Sequence, residues 1–165
     1  MSRWVSERQF RTWKHRISYQ NADMEIVEKG VEPDGFFALW WKSPSKRRRR
    51  PVLSFTIELD RGTEDLERIR EKLLANAAYL DSRVYRDALG VKSGRCLMIT
   101  TGRERAQNMM ALAREMNVAW AWYFCTFAEV MDQKRNAVTD ALWRRAGREE
   151  LVSLVPDSFY REKKN

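Results

Sequence analysis

From Val52 to Asp60 apolar and polar residues alternate without a break, Leu53, Phe55, Ile57 and Leu59 against Ser54, Thr56, Glu58 and Asp60. A period of two marks a strand and sends every polar group of this one to a single face. Upstream, Ser6 precedes a segment, Glu7 to His15, that places Phe10 and Trp13 on one side of a helix. Met24–Glu28 fits a short strand. Pro33-Asp34-Gly35 is a turn feeding a second strand, Phe36–Lys42, apolar on both faces and therefore central. After Arg61-Gly62-Thr63, the stripe Leu66, Ile69, Leu73, Ala77 and Leu80 predicts a helix from Glu64 to Arg83. A strand over Arg95–Thr101 and a helix over Glu104–Met116 follow, then an apolar run, Val118–Cys125, read as a buried strand. Helical segments are expected near Phe127–Gln133 and Val138–Arg145.

The order α-β-β-β-α-β-α-β-α predicts a mixed sheet with helices on both faces. A length of 165 residues and a hydrophobic content of 44% suit one globular domain spanning 1–165, with a core over about 4–130 and a helical C-terminal extension over 131–165. Cys96 and Cys125 each lie in an apolar stretch with no neighbour at zinc-ligand spacing, as expected of buried free thiols in a reducing cytoplasm. No segment has the length of a membrane span, so a cytoplasmic protein without membrane contact is expected. The single histidine, His15, stands in a basic segment with no nucleophile motif, which disfavours Ser-His-Asp and Cys-His chemistry.

Charge changes the picture. The net charge is +8, a balance that favours a polyanionic partner, nucleic acid first. Removing Lys46, Arg47, Arg48, Arg49 and Arg50 lowers it to +3, so much of the signal sits in one loop between the two central strands. Flexible cations there would hold a DNA backbone without reading sequence, with strong salt dependence. A solvated loop or a protein-binding tag has the same composition.

The candidate chemistry is acidic. Glu58 and Asp60 leave one strand face about 7 Å apart, and a hairpin would bring Asp34 beside them. Three carboxylates converging at a strand end suit Mg²⁺, which polarises a phosphodiester and acidifies water. Asp34 fits equally a turn residue, and Asp60 a cap on the following turn or helix. Glu58, inside an apolar strand, requires a partner, either a metal or a buried Lys or Arg. Lys72 borders the helix stripe, with Asn76 and Tyr79 on nearly the same face; it either reaches toward Glu58 or snorkels to solvent.

Pro33-Asp34-Gly35, then Phe55-Thr56-Ile57-Glu58-Leu59-Asp60-Arg61-Gly62-Thr63-Glu64, then Lys72 and Tyr79, resembles the replication-relaxation family of bacterial and plasmid-associated proteins. The Glu-Leu-Asp-Arg-Gly-Thr block is its most specific part, and the similarity runs from about Trp4 to Val130. The resemblance implies a relation to the PD-(D/E)XK nuclease superfamily and a restriction-endonuclease-like core. It implies a role in plasmid or mobile-element DNA replication and relaxation, as a Mg²⁺- or Mn²⁺-dependent endonuclease or nickase. By position, Asp34 and Glu58 match the two metal-binding acids and Glu7 an assisting acid. The usual catalytic lysine position holds Asp60, and Lys72 on the next helix is the candidate replacement. Family members commonly carry a winged-helix DNA-binding region, so DNA engagement here falls to this domain's own surface, a homodimer, or a separate DNA-binding partner protein. The alternatives are a non-catalytic nuclease-fold DNA-binding or assembly component, and a protein-interaction domain whose charged cluster is structural.

Overall fold

The structure, a computed structural model, describes residues 2–40 and 52–156. Lys46–Arg50, and with them the expected phosphate contact, lie outside the described residues. The elements are β1 (Ser2–Ser6), α1 (Glu7–Trp13), β2 (Arg16–Gln20), β3 (Ile26–Gly30), β4 (Gly35–Trp40), β5 (Val52–Leu59), α2 (Leu66–Asp81), α3 (Arg83–Leu89), β6 (Arg95–Thr100), α4 (Arg103–Glu115), β7 (Trp122–Thr126) and α5 (Phe127–Val130).

Five strands form a mixed sheet in the order β1-β4-β5-β6-β7. The meander β1-β4-β5 is antiparallel; β6 and β7 join it in parallel, as the intervening helices require. The expected mixed α/β sheet is therefore present. The separate hairpin β2–β3 packs against α2.

The sheet has unequal faces. The long helices α2 and α4, with α1 and α3, cover one face through Phe10, Ile69, Leu73, Tyr85 and Met109, in one cluster with Trp122 of β7. On the other face Phe55, Leu97, Ile99 and Cys125 meet Leu142, Trp143 and Leu154 of the C-terminal segment. Trp122 ties the helical layer down by donating its indole N–H to Leu73 O at 3.3 Å, which satisfies a polar group in a dry interior.

Several elements depart from the pattern-based reading. Gln20 and the residues before it form β2, in which Ile17 and Tyr19 are buried between exposed neighbours. The helix read as ending at Arg83 stops at Asp81, because Ser82 takes an extended backbone and caps α3 by accepting from Tyr85 N. The strand expected from Val118 begins at Trp122, after a short 3-10 turn over Ala119–Ala121.

Val138–Arg145 is not helical. Arg144 pairs its backbone with Phe124 at the β7 edge and Trp143 pairs with Val152. The Arg144 guanidinium grips Glu129 at 2.7 and 2.8 Å, which favours this extended docking over a helical turn. The described part of the C-terminal extension is accordingly a strapped loop. Both cysteines are free and buried, and no described helix is long and apolar enough to cross a membrane.

Gly94 shows how closely the layers fit. A Cβ there would lie 2.0 Å from the Tyr85 hydroxyl and 3.0 Å from Ser54 O, whereas one at Gly102 meets nothing within 4 Å. Gly94→Ala should lower the free energy of unfolding by about 1–3 kcal/mol through overpacking, and Gly102→Ala by less than about 1 kcal/mol. Urea denaturation of the two variants checks the contrast.

Candidate functional site

The polar face of β5 is turned inward. Ser54, Thr56, Glu58 and Asp60 are all buried on the helix-covered side, while Leu59 on the opposite side is 40% exposed. Buried polar groups must find partners, and each one does, in a different element. The Ser54 hydroxyl donates to Ser93 O and contacts the Tyr85 hydroxyl of α3 at 3.1 Å. The Thr56 hydroxyl reaches Cys96 Sγ of β6.

Glu58, 5% exposed, faces α2. Lys72 Nζ stands 3.6 Å from Glu58 Oε2 and 2.9 Å from Glu64 Oε2. Burial drives the Glu58 carboxyl up to about 8, reinforced by the nearby Asp34 carboxylate and opposed by Lys72 and Asn76. Glu64 is the closer partner of the ammonium. The two carboxylates hold Lys72 above its usual value although its own burial works the other way. Asn76 Nδ2 donates to Lys72 O at 3.1 Å, and the buried Asn76 Oδ1 has no hydrogen-bond partner.

Asp34 sits where the β4–β5 hairpin puts it. Its N–H donates to Ile57 O and its Oδ2 accepts from Leu59 N at 2.7 Å, so the carboxylate is fixed at the end of the strand carrying Glu58. Glu58, Glu64, Lys72 and Asn76 open onto a cleft of about 340 Å³ between α2 and the chain leaving the β2–β3 hairpin. Its walls include Lys29, Val31, Glu58, Glu64, Arg68 and Lys72.

The structure thus brings together Asp34, Glu58 and Lys72, and it sends Asp60 and Glu7 elsewhere. Asp60, 1% exposed, accepts two hydrogen bonds from Arg105 of α4, at 2.6 and 2.9 Å, plus one from Thr100 and one from Gly62 N–H. Those bonds outweigh its desolvation and hold its carboxyl below the usual value. With its oxygens spoken for, Asp60 joins β5, β6 and α4, in place of the catalytic role expected of it. Glu7 pairs with Arg11 one turn along α1 with both side chains largely exposed, an ordinary helix-surface pair.

Glu64 was missed as a site residue. Its signal was its place in the turn before the Asp65 cap, eight residues ahead of Lys72. His15 contacts the Tyr79 hydroxyl at 2.7 Å and stacks on Trp13, and burial lowers its pKa; it does not line the cleft.

Among the described residues, no three His, Cys, Asp or Glu side chains gather closely enough to hold a metal by themselves. Magnesium demands less, because one or two carboxylates with substrate phosphate oxygens usually suffice. Of the acids expected to hold a metal, Asp34 and Glu58 are the two that stay near one another. Compared with models of known families, with curated proteins and with solved structures, the chain matches none.

Asp60→Asn should cost about 2–4 kcal/mol of stability, because Arg105 then faces a neutral partner across a largely buried contact. The carboxyl is more acidic in the folded chain than in the unfolded one, so its contribution is complete above the unfolded value. It is lost as pH falls through the lowered folded value. Denaturation curves should therefore show a constant gap between wild type and variant from neutral pH to about pH 5, and a shrinking gap below it.

Proposed function

We propose that this protein is a nuclease-fold, DNA-acting hydrolase of the replication-relaxation type, cleaving or nicking phosphodiester bonds at the cleft between β5 and α2. The observation that carries this reading is the reach of Lys72: an ammonium borne on α2 lies 3.6 Å from the strand-borne Glu58, next to Asp34. It offers the cation that the strand itself lacks, since the residue two beyond Glu58 is Asp60. The resemblance in the Asp34, Glu58 and Glu-Leu-Asp-Arg-Gly-Thr region supports the same class.

In this reading Asp34 and Glu58 bind Mg²⁺ or Mn²⁺ together with a substrate phosphate. The chemistry such an ion supplies is polarisation of the phosphodiester and a more acidic water. The rest is the work of the chain. The Leu59 N–H sets the orientation of Asp34. Glu64 holds Lys72 at the cleft wall, where its ammonium can take a non-bridging phosphate oxygen as a point charge. Arg68, also on the wall, offers a further cation, whereas Lys29 is already paired with Glu71. The run Lys46–Arg50 supplies non-specific backbone contacts in the same scheme.

A second reading has its own support. Lys72 is already neutralised by Glu64 at 2.9 Å, as befits a structural pair, and the domain would then serve as a non-catalytic DNA-binding or assembly component in plasmid or mobile-element replication.

Supercoiled plasmid incubated at low salt with Mg²⁺ or Mn²⁺ separates the two. The first reading expects nicked or linear product, reduced at least about 100-fold in Asp34→Ala, Glu58→Ala and Lys72→Ala. Retained DNA binding with no conversion under either metal overturns it in favour of the second.

A further inference from the structure

A second cavity, of about 500 Å³, lies on the opposite side of the sheet, under the C-terminal strap. Its floor is Tyr123 of β7, which packs with the Phe55–Leu97 side of the sheet. Arg145 and Arg148 stand at its rim, and Leu151 and Leu154 form an apolar wall, with the hydroxyl-bearing Thr139 and Ser153 alongside.

The two arginines are held together by backbone geometry. The Trp143–Val152 pairing closes a loop, and within it Arg148 N–H donates to Arg145 O at 3.0 Å. Gly147 takes φ +84, the left-handed value that the third position of a type II turn needs and that glycine adopts without strain. Arg145 and Arg148 are the first and fourth residues of this turn, which keeps their Cα atoms within about 7 Å. The Arg145 guanidinium is steadied over the Tyr123 ring, its Cζ 5.7 Å from the ring centroid.

Other arginines on this side of the molecule are matched. Arg144 grips Glu129 and Arg135 meets Asp140. Among the described residues no ion pair joins Arg145 or Arg148 to a carboxylate, although Glu149 and Glu150 follow directly in the chain. Both arginines line the same cavity, and among the described residues neither guanidinium is neutralised by a carboxylate. Their planar forks suit phosphate oxygens, and the flat guanidinium–tyrosine pair beside an apolar wall suits an aromatic ring.

We propose that this cavity is a nucleotide site, in which Arg145 and Arg148 take the phosphate and the Tyr123–Arg145 stack with Leu151 and Leu154 receives the base. The ligand chemistry is that of a nucleoside 5′-phosphate, free in solution or at the end of a DNA strand. The site shares no residue with the Glu58 cleft and stands or falls independently of the hydrolase reading.

Calorimetric titration of the full chain tests it, with dAMP, deoxyadenosine, inorganic phosphate, and a short single-stranded oligonucleotide with or without its 5′-phosphate. The expected result is binding of dAMP that exceeds both deoxyadenosine and phosphate. It should weaken by about tenfold or more in Arg145→Ala and in Arg148→Ala and remain unchanged in Glu58→Gln. Tyr123→Leu should weaken dAMP by a larger factor than it weakens phosphate, since it removes the base platform as well as the support under Arg145. Equal binding of dAMP and the phosphorylated oligonucleotide assigns a free nucleotide, and tighter binding of the oligonucleotide, dependent on its 5′-phosphate, assigns a strand end. No binding of any nucleotide, binding no better than phosphate alone, or binding indifferent to both arginine variants in thermally intact protein overturns the proposal.

Discussion

Four alternate side chains on the inward face of a central strand, Ser54, Thr56, Glu58 and Asp60, are polar and buried. Left unpaired, each would cost on the order of a kilocalorie or more per mole, and the carboxylates considerably more. The fold meets this constraint with a different partner for each: Tyr85 from α3, Cys96 from the neighbouring strand β6, Lys72 from α2 and Arg105 from α4. The strand thereby sets where the helices lie. An apolar face would let a helix slide along it, whereas hydrogen-bonded and charged pairs accept one register.

The four pairs are not equivalent, and the difference separates scaffold from site. Asp60 is saturated by a two-pronged guanidinium and a hydroxyl, and its carboxyl is kept acidic. Glu58 has a looser contact with an ammonium that prefers Glu64, and burial leaves its carboxyl much less acidic than an ordinary one. Two carboxylates two residues apart thus sit in opposite electrostatic states, and the one open to a cleft is the one whose charge is unsettled. A perturbed acid in a cleft is a candidate for chemistry or ligand binding, and structural ion-pair networks shift pKa values in the same way.

Much of this was legible in the sequence, and the rest was hidden for identifiable reasons. Strict alternation in Val52–Asp60 gave the strand and the shared face of its polar groups, and the cost of burying Glu58 called for a partner such as Lys72. Alternation alone does not say that the polar face is the covered one; that depends on Ile69, Leu73 and Leu80 being spent on the same side of the sheet, while Leu66, counted in the same stripe, is exposed. The Asp60–Arg105 pair spans forty-five residues, and no local pattern announces it. The hairpin strand Arg16–Gln20 did carry a signal, in alternating Ile17 and Tyr19, shortened to two apolar positions. The C-terminal strap misled because Val138–Arg145 has helical spacing, while the Glu129–Arg144 pair and the β7 edge impose an extended backbone.

The dependence of the site on a polar strand face closed under α2 is tested most directly by titrating the Glu58 side-chain carboxyl by carbon-13 NMR in metal-free protein, with Glu58→Gln to assign the resonance. A midpoint at about 8 is the predicted result. A midpoint in the ordinary glutamate range, about 4, would mean that water reaches Glu58 and that α2 does not seal the strand, contradicting the account.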